Sequence, residues 1–101
     1  HGTSDFVVPY NGNAFIGYPS VEDTIAGWVE RNGCQGEPTT TFDEGNATCI
    51  QYAGCDDGAH VTLCSVSGLG HCWPGAPSCN GNGALHANTA LFDFFAAHPM
   101  P

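Results

Sequence analysis

Apolar residues recur along the 101-residue chain with two different periods. Val21, Ile25, Trp28 and Val29 fall at i, i+4, i+7 and i+8, which is one face of a helix. Ser20 is a good N-cap, and Asp23 stands where a capping box returns the hydrogen bond. Glu22 and Asp23 suit the positive end of the helix dipole, Arg31 suits the negative end, and Gly33 stops the helix. The spacing predicts a helix over 21–32 with Trp28 in the core. Two alternating stretches, around Thr48 to Tyr52 and His60 to Val66, flank the turn sequence Gly54-Cys55-Asp56-Asp57-Gly58 and predict an antiparallel hairpin. Asp56 and Asp57 lack the spacing of a calcium loop and read as turn formers.

The remaining stretches are less regular. Phe6 to Val8, closed by Pro9, reads as a strand end leading into a Gly/Asn loop. Residues 35–46 are polar and turn-rich, and 67–82 form a Gly/Pro/Ser/Cys loop. Leu91, Phe92, Phe94 and Phe95 predict a buried helix over 88–97 that ends before Pro99. There are no internal repeats. One domain over 1–101 is expected, of α/β or α+β class, with one short sheet and two helices.

Charge narrows the function classes. Ten acidic residues against Arg31 alone give a formal net charge of −9. A nucleic-acid binder or a polybasic membrane-surface protein needs clustered Lys and Arg, which this chain lacks. Nor does any apolar run reach the roughly 18–20 residues of a membrane span. Cys34, Cys49, Cys55, Cys64, Cys72 and Cys79 crowd a loop-rich region with no C-x-x-C pair, which points to three disulfides rather than zinc. Short loop closures predict the pairs Cys34–Cys49, Cys55–Cys64 and Cys72–Cys79. A start at His1 fits removal of a signal peptide, and Asn46-Ala47-Thr48 is a glycosylation acceptor sequence. A secreted, acidic protein is expected.

Four segments resemble one family in order and spacing. They are His1-Gly2-Thr3-Ser4-Asp5-Phe6-Val7-Val8-Pro9-Tyr10, Asn32-Gly33-Cys34, Gly70-His71-Cys72-Trp73-Pro74-Gly75 and Phe92-Asp93-Phe94-Phe95-Ala96-Ala97-His98-Pro99. Across essentially its whole length the chain resembles the C-terminal portion of the polyhydroxybutyrate depolymerase and feruloyl/acetylxylan esterase group of secreted α/β-hydrolases. The resemblance implies that Asp5 orients His71, that His71 takes a proton from a serine, and that Trp73 and Pro74 wall the pocket. Two departures stand out. None of Ser4, Ser20, Ser65, Ser67 and Ser78 lies in a G-x-S-x-G elbow, and Cys72 stands where the family implies a threonine.

Those departures leave two readings from different classes. The first is a self-standing, non-catalytic, lectin-like protein that completes its fold as a homodimer and binds a glycan without a cofactor. Its ligand site would be Asp5, Tyr10, His71 and Trp73, an acid and an imidazole beside aromatic faces. The second is a fragment or subunit of a secreted serine esterase that supplies Asp5 and His71. A copper site at His1, completed by His71 or another histidine, ranks last, because the family motif already accounts for His1. His60, His86 and His98 read as solvated or capping residues.

Overall fold

The computed structural model describes residues 1–100. The element order is α1 (Val21–Arg31), β1 (Thr39–Glu44), β2 (Ala47–Tyr52), β3 (Val61–Val66) and α2 (Ala87–Ala97), with short 3-10 turns at Asp56–Gly58 and Pro77–Cys79. The three strands form an antiparallel sheet in the order β1-β2-β3. Two helices around a short sheet are as expected, and the sheet's antiparallel order belongs to the α+β side of that expectation. No helix among the described residues is long and apolar enough to cross a membrane.

Helix α1 starts at the predicted N-cap, where the Ser20 hydroxyl accepts from the Asp23 amide at 3.0 Å, but Asp23 does not return the bond as a capping box would. The hairpin of β2 and β3 also forms, from Ala47↔Val66 to Tyr52↔Val61. Strand β1 was not anticipated. Its Thr-Thr-Thr-Phe-Asp-Glu sequence buries only Phe42 in part, so it lacks the apolar alternation of a half-buried strand. A two-residue turn at Gly45-Asn46, with Gly45 at φ 55°, folds it back on β2.

The core is small: Ala47, Cys49, Val66, Leu69, Cys79 and Leu85, clustered on one face of the sheet. Three expectations about burial fail. Trp28 is half-exposed, and the Arg31 guanidinium lies over its ring at 4.4 Å instead of core side chains. Helix α2 buries no residue: Leu91 and Phe94 line a large cavity between it and the sheet, and Phe92 and Phe95 are exposed outside that cavity. Phe6 to Val8 form turns rather than a strand end, with Phe6 fully outside.

All six cysteines pair, as Cys34–Cys55, Cys49–Cys64 and Cys72–Cys79. The expected Cys34–Cys49 and Cys55–Cys64 pairs are therefore wrong, and strand register gives the reason. Cys49 and Cys64 stand directly opposite on β2 and β3. The Cys64 carbonyl accepts from His1 N on the far side, so this is a non-hydrogen-bonded pair, where opposing side chains come closest. Cys34 leaves the end of α1, and the Asp56 amide donates to the Asn32 carbonyl at 2.8 Å, which brings Cys55 beside it.

Peptide mapping under non-reducing conditions is expected to return these three pairs and no Cys55–Cys64 peptide. Replacing Cys49 and Cys64 together with alanine opens a loop of 15 residues and should cost about 3 kcal/mol, read as a lower denaturation midpoint.

Candidate functional site

The site is built where the N-terminal segment meets the turn after β3. Val66 N donates to the His1 carbonyl and Thr3 N to the Val66 carbonyl, both at 3.0 Å. Ser4 N then donates to the Leu69 carbonyl at 3.0 Å, and the Thr3 hydroxyl accepts from Gly68 N at 2.9 Å. Gly2 is required here, because a Cβ would collide with the Leu69 carbonyl. These bonds lay residues 1–5 against 66–71, and Asp5 thereby meets His71 across 66 residues of sequence.

Asp5 is 9% exposed and each of its oxygens is used. Oδ1 accepts from the Val7 and Val8 amides, both at 2.8 Å, which closes the turn that begins the next segment. Oδ2 lies 3.0 Å from His71 Nδ1. A carboxylate only accepts, so His71 Nδ1 carries the hydrogen and Nε2 keeps its lone pair. Burial pushes the Asp5 carboxyl up, but the Val8 amide, the His71 ring and the Val7 amide outweigh it, so its pKa is held below the ordinary value. The His1 ring adds to this side of the site, with Nε2 4.0 Å from Asp5 Oδ2. The sequence offered no signal for that contact beyond the shared motif.

His71 is more than half exposed and lines a cavity of about 970 Å³ between the sheet and α2. Phe42, Leu85, Leu91 and Phe94 make its wall largely apolar, and Asp5, Trp73 and Pro74 share it. The Trp73 indole N–H donates to Asn88 Oδ1 at 2.8 Å, and Ala87 N donates to the Pro74 carbonyl at 3.0 Å. The loop that carries His71 is thus fastened to the start of α2. Asn88 had no sequence signal. At the other end of α2, His98 Nδ1 donates to the Phe94 carbonyl at 2.7 Å, and its Nε2 accepts from His60 Nδ1 at 2.6 Å. His98 is thus the C-cap of α2, in keeping with the capping expectation, and His60 is partnered by it rather than solvated.

Of the four residues expected to form a ligand site, the structure brings Asp5, His71 and Trp73 to one cavity. Tyr10 is elsewhere: its hydroxyl is hydrogen-bonded to Ser65 at 2.8 Å, and it lines a separate cleft of about 550 Å³ between α1 and the sheet. Its one link to the site is an edge-on contact with the His1 ring. Asn46 is exposed, with Nδ2 donating to the Ser67 carbonyl and Oδ1 accepting from Ala84 N. Among the described residues no group of three His, Cys, Asp or Glu side chains is placed to hold a metal ion.

The Asp5 carboxylate is held ionised by folding, which fixes the sign of its pH effect. A depressed folded pKa contributes stability above the unfolded value, near ~3.9, and loses it as pH falls through the folded value. Asp5→Asn should therefore melt below the parent chain at pH 7. That gap should close as pH drops below about 4, checked by thermal unfolding across pH.

The chain is similar to "Feruloyl esterase B" of Piromyces equi, at 35% identity over 77 residues. That alignment covers 69% of this chain and 14% of the relative's length. No family model and no solved structure matches it. Over the aligned stretch the chain is similar to an esterase, and its Asp–His pair has the geometry that acyl transfer uses.

Proposed function

We propose that this chain supplies the acid and base of a secreted serine esterase whose nucleophile lies outside the described residues. The contact between Asp5 Oδ2 and His71 Nδ1 carries the reading, because it leaves Nε2 as the free base of the imidazole. As a serine oxygen attacks the ester carbonyl carbon, Nε2 takes the serine proton. His71 then returns that proton to the leaving alkoxide, and a water molecule repeats the sequence to release the acid. Asp5 stays ionised throughout and offsets the charge of the imidazolium. The largely apolar cavity beside His71 would hold the acyl group, and likeness to the relative suggests a feruloyl-type ester. The three disulfides are compatible with an extracellular location.

The same reading says that the chain by itself does not hydrolyse esters. It carries no G-x-S-x-G serine, and an imidazole without a nucleophile has nothing to activate. Glycan binding at Asp5, Tyr10, His71 and Trp73 is the other reading, and there Tyr10 lies away from the other three residues.

The purified chain should leave a p-nitrophenyl ester intact and bind no fluorophosphonate. In the native assembly a fluorophosphonate should label a serine. Asp5→Asn should there lower kcat by about 10⁴-fold and His71→Ala by about 10⁶-fold, with much smaller changes in KM. Native mass spectrometry showing only the 10.5 kDa chain or its homodimer, with no labelled serine, would overturn the proposal.

A further inference from the structure

Helix α2 has little to hold it in place. It has eleven residues, none of them buried, and a helix of that length is marginal in water without tertiary contacts. Its first turn is fastened by the bond from Trp73 to Asn88, and its far end by the bond between His60 and His98. Both partners of the second fastening are imidazoles, so its hydrogen count decides whether it exists.

That count follows from the neighbours. The Phe94 carbonyl only accepts, so His98 Nδ1 carries a hydrogen and His98 Nε2 keeps its lone pair. The lone pair requires a hydrogen on His60 Nδ1, 2.6 Å away, which leaves His60 Nε2 as the free basic nitrogen of the pair. A first proton therefore goes to His60 Nε2 and keeps the bond, because a cationic ring still donates from Nδ1. A second proton has only His98 Nε2 to occupy. Two N–H groups on two cationic rings then face each other, and the bond is gone.

Nothing nearby compensates the second charge. The titratable groups on the adjoining elements are Asp93 on α2, Asp56 and Asp57 in the turn before His60, and Tyr52 opposite Val61 on β2. Asp56 sets its carboxylate against Gly33, and Asp93 lines the cavity under α2. Among the described residues no carboxylate oxygen lies within 4.0 Å of a nitrogen of either ring. Packing carries the loss inward. The Phe94 ring stacks on the His98 ring with centroids 4.3 Å apart, and Phe94 lines the same cavity as His71.

We infer that the His60–His98 pair is an acid-sensitive clasp: when both rings are protonated, the end of α2 lets go and the apolar cavity opens on that side. Histidine is the side chain that suits such a switch, since mild acid is enough to charge an imidazole. The clasp itself stands on its two hydrogen bonds. Only its consequence, a cavity that opens to an acyl group as pH falls, rests on the function proposed above.

The test is amide exchange of the full chain by NMR at about pH 7.5 and about pH 4.5, each read as protection relative to the unstructured rate at that pH. Protection at Phe95 and Ala96 is expected to fall at least roughly tenfold at the lower pH, while the central strand β2 keeps its own. His98→Gln puts an amide oxygen in place of Nε2, which accepts from His60 whether or not that ring is charged, so α2 should stay protected at both pH values. His60→Ala should leave α2 poorly protected at both. Equal protection of α2 in the parent chain at the two pH values, or a fall in His98→Gln as large as the parent's, overturns the inference. If His98→Gln fails to fold, His60→Ala decides: parent-like protection of α2 at the higher pH overturns the clasp, and its loss there supports it. A pH-dependent α2 without any labelled serine in the native assembly keeps the clasp and removes the esterase reading. A labelled serine with a pH-independent α2 does the reverse.

Discussion

The parallel rungs between His1–Thr3 and β3 are the constraint on which the site depends. They involve no functional side chain, yet they put Asp5 within 3.0 Å of His71. The glycine at position 2 permits the close approach, and the turn at 67–70 returns the chain so that His71 faces the acid. Asp5 then does two things with one carboxylate. Its Oδ1 caps the turn that starts at Val7, and its Oδ2 sets the tautomer of the imidazole. A shift of the N-terminal segment along β3 would break the contact with His71, whereas the local turn at Val7 would move with the segment.

Disulfides reinforce that arrangement from three directions. Cys49–Cys64 ties β2 to β3 next to the strand edge that His1 engages. Cys72–Cys79 closes the loop directly after His71, and Cys34–Cys55 joins the end of α1 to the turn before β3. With so few fully buried side chains, covalent closure offsets much of the chain entropy that a larger core would otherwise have to oppose. Helix α2 is held differently. It is fastened at its two ends, by Trp73–Asn88 and by His60–His98, and spans an apolar cavity between them.

Local chemistry was legible in the sequence, and long-range register was not. The Ser20 cap, the α1 periodicity and the β2–β3 alternation each depend on neighbours within a few residues, and each formed as read. The motifs around Asp5 and His71 also signalled a contact that the fold delivers. The disulfide map failed because short loops are a weaker constraint than the β2–β3 register, which sets Cys49 against Cys64. Strand β1 was missed because an edge strand with polar residues on both faces carries no period-two signal. Tyr10 has the aromatic face that a sugar site calls for, but its hydroxyl is hydrogen-bonded to Ser65, which lines the cleft on the α1 side of the sheet.

The failed burial expectations are informative in the same physical sense. Trp28, Leu91, Phe92 and Phe95 lie at positions where amphipathic helices face a core, and the periodicity was read accordingly. Of these, Leu91 lines the cavity under α2, whereas Trp28, Phe92 and Phe95 line neither hollow beside the sheet and are half-exposed or more. Both apolar hollows adjoin β3, the strand whose outer edge is open and unprotected.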